Sequence, residues 1–126
     1  MYLIDTHIML WAAFEPHKLS STILSILRRD DVTVFVSLAS LWELRIKRNL
    51  GKLSFYDDLH MQIEDIGYNI LNIKSEHILA LDKVPAIHKD PFDRMLIAQS
   101  LHEGLILITD DKNILKYDIS VVNNND

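Results

Sequence analysis

The chain has 126 residues, with 13 Lys and Arg against 18 Asp and Glu, for a formal charge of −5. Apolar residues make up 48% and charged residues 25%, which excludes intrinsic disorder and fits one globular domain with its own core. The absence of cysteine excludes disulfides, thiolate metal sites and thiol nucleophiles. The acidic balance argues against passive adhesion to nucleic acid, though not against nucleic acid as a substrate.

Taken in chain order, short apolar runs alternate with longer stretches of helical period. Tyr2 to Ile4 reads as a strand, Thr6 to Phe14 as a helix, and Ser20 to Arg29 as a second helix with Ile23, Ile26 and Leu27 on one face. Val32 to Val36 is β-branched and aromatic, hence a strand, and Leu38 to Leu50 is helical with Gly51 as its stop. Phe55 to Ile66 reads as a helix before Gly67, Tyr68 to Ile73 as a third strand, and Ser75 to Asp82 as one or two helical turns. Lys83 to Lys89 contains Pro85 and reads as loop. Phe92 to His102 is an apolar helix closed by Gly104, Leu105 to Ile108 a fourth strand, Asp111 to Lys116 a short helix, and Ile119 to Val122 a last strand. No apolar run reaches the ~18 residues of a membrane span. The run Ile8 to Phe14 follows Asp5 rather than a basic stretch, unlike a signal peptide, so a cytoplasmic protein without membrane attachment is expected.

Strands alternating with helices predict βαβ units and a mainly parallel sheet covered on both faces, a three-layer α/β/α sandwich. The domain is expected over 1–122, with 123–126 as a polar tail. In such folds the ligand site lies beyond the carboxyl ends of the strands. Asp5 follows the first strand there, Glu43 lies on the helix after the second, Asp93 opens the helix feeding the fourth, and Asp110 and Asp111 follow the fourth. Carboxylates gathered at one edge need a counter-charge, and a hard divalent cation, Mg²⁺ or Mn²⁺, supplies it. Each acid also has a purely structural reading. Asp90, Pro91 and Asp93 match N-cap, N1 and N3; Ser40 to Glu43 has capping-box spacing; Asp5, Asp110 and Asp111 can each cap a helix.

Several motifs carry a resemblance. They are Leu3-Ile4-Asp5-Thr6-His7; Val36-Ser37 through Ser40-Leu41-Trp42-Glu43-Leu44 with Lys47 and Gly51-Lys52-Leu53; His88-Lys89-Asp90-Pro91-Phe92-Asp93-Arg94-Met95-Leu96-Ile97-Ala98-Gln99; and Glu103-Gly104-Leu105 with Ile108-Thr109-Asp110-Asp111. In this order and spacing the chain resembles PIN-domain proteins, in particular VapC-type toxins of type II toxin–antitoxin systems, over about residues 1 to 122. The Asp-Pro-Phe-Asp-Arg-x-Leu-Ile-Ala-Gln stretch, Asp90 to Gln99, is the most specific piece. The resemblance implies a three-layer α/β/α nuclease that cuts RNA with Mg²⁺ or Mn²⁺ and leaves 5′-phosphate and 3′-hydroxyl ends. It implies Asp5, Glu43, Asp93 and Asp111 as catalytic, metal-holding acids, with Asp110 the alternative to Asp111. It also implies a homodimer and an antitoxin partner.

Arg45, Lys47, Arg48 and Lys52 crowd the end of the Glu43 helix, and Arg94 follows Asp93. Arg45, Arg48 and Arg94 are the candidate substrate-binding residues; the structural reading is a solvated helix end or an ion pair. Thr6 and Thr109 are candidates for orienting ligands by hydrogen bonds, or for turn and cap roles. The six histidines lack regular metal-ligand spacing; His7 and His88 lie near the expected site. Trp11, Phe14, Trp42 and Phe92 fall on apolar helix stripes and read as core or interface. A receiver-like, Mg²⁺-binding signalling domain is the reading from another class, but it needs a second acid beside Asp5 and a phosphoacceptor after the third strand, where Lys74-Ser75-Glu76 stands. A PIN-type nuclease acting on DNA or structured nucleic acid is not separable by sequence. Setting the four acids aside as cation ligands leaves a formal charge of −1, so the excess acidity itself points to cation dependence.

Overall fold

A computed structural model of the protein describes residues 1–51 and 58–124. Its strands are β1 (Tyr2–Ile4), β2 (Val34–Ser37), β3 (Asn69–Leu71), β4 (Ile106–Thr109) and β5 (Val121–Asn123). Its α-helices are α1 (Thr6–Phe14), α2 (Ser21–Leu27), α3 (Leu38–Asn49), α4 (Leu59–Ile66), α5 (Ser75–Ala80) and α6 (Pro91–Glu103). Among the described residues no helix is long and apolar enough to cross a membrane.

Successive strand residues point to opposite faces of the sheet, and the apolar residues obey that period. Ile4, Val34, Val36 and Ile108 pack with Ile8 and Met9 of α1, Ile23 of α2, Leu44 of α3 and Ile63 of α4. Their neighbours Leu3, Leu71 and Leu107 pack on the other face with Leu96, Ile97 and Ala98 of α6, and with Ile114 of a 3₁₀ turn at Ile114–Lys116. Strands buried on both faces explain why the runs are continuously apolar rather than alternating with polar residues. The three-layer α/β/α sandwich expected from the sequence is therefore the observed one.

All four strand pairings are parallel, in the order β3-β2-β1-β4-β5. The chain first winds outward from β1 through β2 to β3, then returns to the far side of β1 with β4. The switch point lies between β1 and β4, where Leu3 sits opposite Leu107 and Ile4 opposite Ile108. A crevice opens at the carboxyl ends of the strands flanking such a point. This order also separates the chain from the 2-1-3-4-5 sheet of receiver-like folds.

Some element boundaries differ from those the sequence predicts. β2 runs to Ser37 rather than Val36, because Ser37 serves both as the last strand residue and as the N-cap of α3, accepting from Ala39 N at 3.0 Å. Of the expected helix Phe55 to Ile66, the structure shows Leu59–Ile66; residues 55–57, and Lys52 and Leu53 of the quoted motif, lie outside the described residues. The short helix expected at Asp111 to Lys116 contracts to the 3₁₀ turn. Gly104 ends α6 at φ 67°, a left-handed conformation that costs a glycine little. Asn123 and Asn124, expected in a polar tail, belong to the fold. Asn123 closes β5, and the Asn124 amide accepts from Ser20 N (2.8 Å) and donates to Lys18 O (3.2 Å), satisfying backbone groups at the start of α2. Asn125 and Asp126 lie outside the described residues.

Candidate metal centre at the switch point

Asp5 leaves β1 at the switch point and is 3% exposed, its backbone N donating to Ile108 O of β4. Its Oδ1 accepts from Ile8 N at 2.8 Å, capping α1, and its Oδ2 accepts from the Thr109 hydroxyl. Capping and site membership are therefore not alternatives for this residue, since one oxygen serves each. Thr109 Oγ1 also accepts from Asp111 N at 3.0 Å, so a single buried hydroxyl joins the two loops at the ends of β1 and β4.

Glu43 stands on the second turn of α3 and is buried. Because Ser37 starts the helix, the Ser40–Glu43 capping box does not form, and both side chains are turned to other work. Thr6 Oγ1 lies 2.9 Å from Ser40 Oγ and 3.0 Å from Glu43 Oε1, donating its one proton to the carboxylate. Lys47, one helical turn on, donates from Nζ to Glu43 Oε2 at 2.9 Å. Lys47 is thus a member of the basic cluster that meets a site acid, a pairing its i,i+4 spacing makes legible.

Asp93 stands at N3 of α6. Asp90 is the cap, its Oδ1 accepting from Phe92 N (2.8 Å) and Asp93 N (3.0 Å). Asp93 Oδ2 is 2.7 Å from Nε2 of His88. Asp111 uses Oδ1 to accept from Asn113 N at 2.8 Å.

The electrostatics show which acids meet. Burial pushes Asp5 up to about 7; the Asp110 and Asp93 carboxylates push the same way, against the hydrogen bonds from Thr109 and Ile8. Burial pushes Asp93 up to about 6, reinforced by Asp90, Asp111 and Glu43 and opposed by His88. Acids from four separate elements therefore act on one another at one edge of the sheet. Asp110 bears on Asp5 and Asp111 on Asp93, so both residues of the pair face the cluster. His88, Asp93 and Asp111 each bring one ligand atom to within 4.8 Å of the other two. The Asp93 and Asp111 carboxylates and the His88 imidazole at this spacing fit a divalent cation, whose charge would lower the cost of ionising Asp93.

The three arginines occupy different settings. Arg45 lines a shallow groove of about 330 Å³ with Leu38, Leu41, Trp42, Leu59 and His60. Arg48 is half-buried in the last turn of α3. Arg94 is engaged away from the acids: Nη1 donates to Pro85 O (3.0 Å) and Nη2 to Val84 O (3.1 Å), tying the preceding loop to α6. His7 is exposed and tilts against Trp11 rather than joining the site. Trp42 is 60% exposed and meets Phe92 edge to face at 5.2 Å, beside the turns that carry Glu43 and Asp93. His88 is the neighbour of Asp93 that the acid pattern of the sequence does not reveal. No helical or strand period links it to Asp93, five residues on, and only the fold of the Lys83 to Lys89 loop brings it back.

No curated protein matches the chain. Among solved structures, VapBC2 from Rickettsia felis bound to a DNA fragment from its promoter has a TM-score of 0.73 at 14% identity, covering 97% of this chain and 97% of that chain. A toxin-antitoxin complex from Klebsiella pneumoniae has a TM-score of 0.70 at 17% identity, covering 98% of both chains. DNA-bound VapBC from Salmonella typhimurium has a TM-score of 0.71 at 13% identity, covering 97% of this chain and 96% of that chain. These likenesses show a shared fold over nearly the full length. The PIN domain model matches residues 2–120, and the chain belongs to the PIN-domain family.

Proposed function

We propose that the chain is a divalent-cation-dependent endoribonuclease and the toxin of a type II toxin–antitoxin pair. The observation that carries the nuclease reading is the convergence of Asp5, Glu43, Asp93 and Asp111, in which burial and the neighbouring acids raise the cost of ionising Asp5 and Asp93. The likeness to VapBC and other toxin–antitoxin complexes supports the toxin role.

In this reading the four acids hold Mg²⁺ or Mn²⁺. The bound cation supplies Lewis-acid stabilisation of phosphate charge and a water of lowered pKa. The protein's own part is to fix the acids. Thr109 orients Asp5, and Thr6 with Ser40 orients Glu43. Lys47 offsets the Glu43 charge, one positive group inside an acidic cleft. Arg45 and Arg48 supply charge for the phosphate backbone, while Arg94 holds the loop that carries His88. The exposed Trp42 and its groove suit the antitoxin, and exposed apolar residues such as Phe14, Leu50 and Met61 suit a homodimer. The toxin would act in the cytoplasm.

The test is incubation of purified chain with labelled single-stranded RNA, and with DNA of the same sequence, with Mg²⁺ or Mn²⁺ or with excess chelator. RNA is expected to be cut, with 5′-phosphate products, only when the cation is present. Cleavage undiminished in chelator overturns the metal reading, and preferential cleavage of the DNA overturns the RNA reading.

A further inference from the structure

We propose that His88 is a direct ligand of the cation, making this centre a mixed imidazole–carboxylate site that prefers Mn²⁺ over Mg²⁺. The inference rests on the cation reading above and adds to it a residue that the acid pattern does not contain.

Three observations carry it. First, His88 Nε2 does more than approach one acid. It lies 2.7 Å from Asp93 Oδ2, and it shares with Asp93 and Asp111 a cluster whose ligand atoms are all within 4.8 Å of one another. Two donors on one first-row cation, with bonds near 2.1 Å, stand at most about 4.2 Å apart. The three side chains need only a small contraction to share an ion. A histidine that served solely to orient Asp93 would have no need to face Asp111 as well.

Second, the imidazole is fixed from outside the cluster. His88 N donates to Tyr117 Oη at 2.9 Å, and the Tyr117 hydroxyl donates to Pro85 O at 2.6 Å. Arg94 donates to the same Pro85 carbonyl and to Val84 O. A buried tyrosine from the far end of the chain and an arginine from α6 thus clamp both ends of one short loop. Residues 85–87 at its crest are exposed and apolar or small. Val84 turns into the core, and the polar side chain the loop presents inward is His88, at 15% exposure beside an Asp93 side chain at 16%.

Third, the chemistry is balanced. In the cation-free protein Nε2 of His88 is in hydrogen-bond contact with Asp93 Oδ2. On binding, Nε2 gives its lone pair to the cation and the ring carries its proton on Nδ1, set by exchange with water. Asp93 exchanges the lost hydrogen bond for a metal bond. Imidazole raises affinity for first-row transition ions and not for Mg²⁺, which prefers oxygen and retains water. A histidine in the ligand set therefore shifts selectivity toward Mn²⁺.

The experiment is pulsed EPR on tag-free, chelator-stripped chain loaded with one equivalent of Mn²⁺, with wild type, wild type carrying ¹⁵N-labelled histidine, and His88→Gln. Gln keeps an N–H donor for Asp93 but brings no imidazole nitrogen. Wild type is expected to show ¹⁴N modulation from a directly bound nitrogen. Histidine labelling should replace it by the ¹⁵N signal, and His88→Gln should lack it. In parallel, competition titrations should show the preference for Mn²⁺ over Mg²⁺ falling about tenfold or more in His88→Gln. Bound Mn²⁺ without nitrogen modulation in wild type overturns the ligand assignment and leaves the acid site standing. Modulation that persists in His88→Gln overturns it too. No Mn²⁺ bound by wild type defeats the cation reading itself. The wild-type spectra decide the matter even if the variant fails to fold.

Discussion

Asp93→Asn is expected to lower cation-dependent RNA cleavage by about 10²-fold or more while the chain stays folded. Asp93 is the acid on which the others bear: Asp90, Asp111 and Glu43 all raise its pKa, and His88 bonds to it. Asparagine keeps the shape of the side chain and an oxygen that can accept from His88, but it removes the negative charge that would attract a cation. The cap of α6 is untouched, because Asp90 accepts from the Asp93 backbone and not its side chain. Removing a carboxylate that burial already disfavours should leave stability at neutral pH equal to wild type or higher. Cleavage rates with urea unfolding on the same preparation check both halves. Wild-type activity in the variant, or activity lost together with the fold, contradicts the assignment.

The second large effect is a pH dependence of the opposite sign to ordinary acid denaturation. Asp5 is raised from 3.8 to about 7 in the folded chain. Between those values the native state keeps a proton that the unfolded chain has released. The folded state therefore binds more protons, and stability falls as pH rises through this window. The loss is complete above about pH 7 and is on the order of 4 kcal/mol at most for Asp5. In cation-free buffer, wild type is expected to lose stability between pH 5 and 7.5 relative to Asp5→Asn, which has no carboxyl to ionise. Millimolar Mg²⁺ should restore wild type at pH 7.5 and do little at pH 5. Urea titrations at the two pH values measure this, and parallel pH profiles for wild type and Asp5→Asn would contradict it.

Much of the fold and most of the acid site are legible in the amino-acid sequence. The apolar strands dictate the layer order because residues such as Leu3 and Ile4 must each find a helix on its own face. Asp5 and Asp111 after strands, and Glu43 and Asp93 near helix starts, can be read as acids of one edge because a parallel sheet gathers the carboxyl ends of its strands there. The contacts that the sequence hides are those set by loop geometry. His88 reaches Asp93 through a proline-containing loop that has no period to read, and the clamp from Tyr117 depends on a side chain 32 residues from Pro85. The Ser40–Glu43 spacing suggests a capping box, but Ser37 stands one turn earlier and takes the cap, freeing Glu43 for the site. Asn124 looks like tail because its composition is polar, yet its amide meets the backbone of a helix more than 100 residues away.

The measurement that bears most directly on the central claim is the binding of Mn²⁺ to chelator-stripped chain by titration calorimetry at pH 7, for wild type and for the Asp5→Asn, Asp93→Asn double variant. Wild type should bind saturably and the double variant should show no binding in the same concentration range, with both chains folded by circular dichroism. Equal affinity in the two, or a folded wild type that takes up no cation, would contradict the claim that these acids form a metal centre.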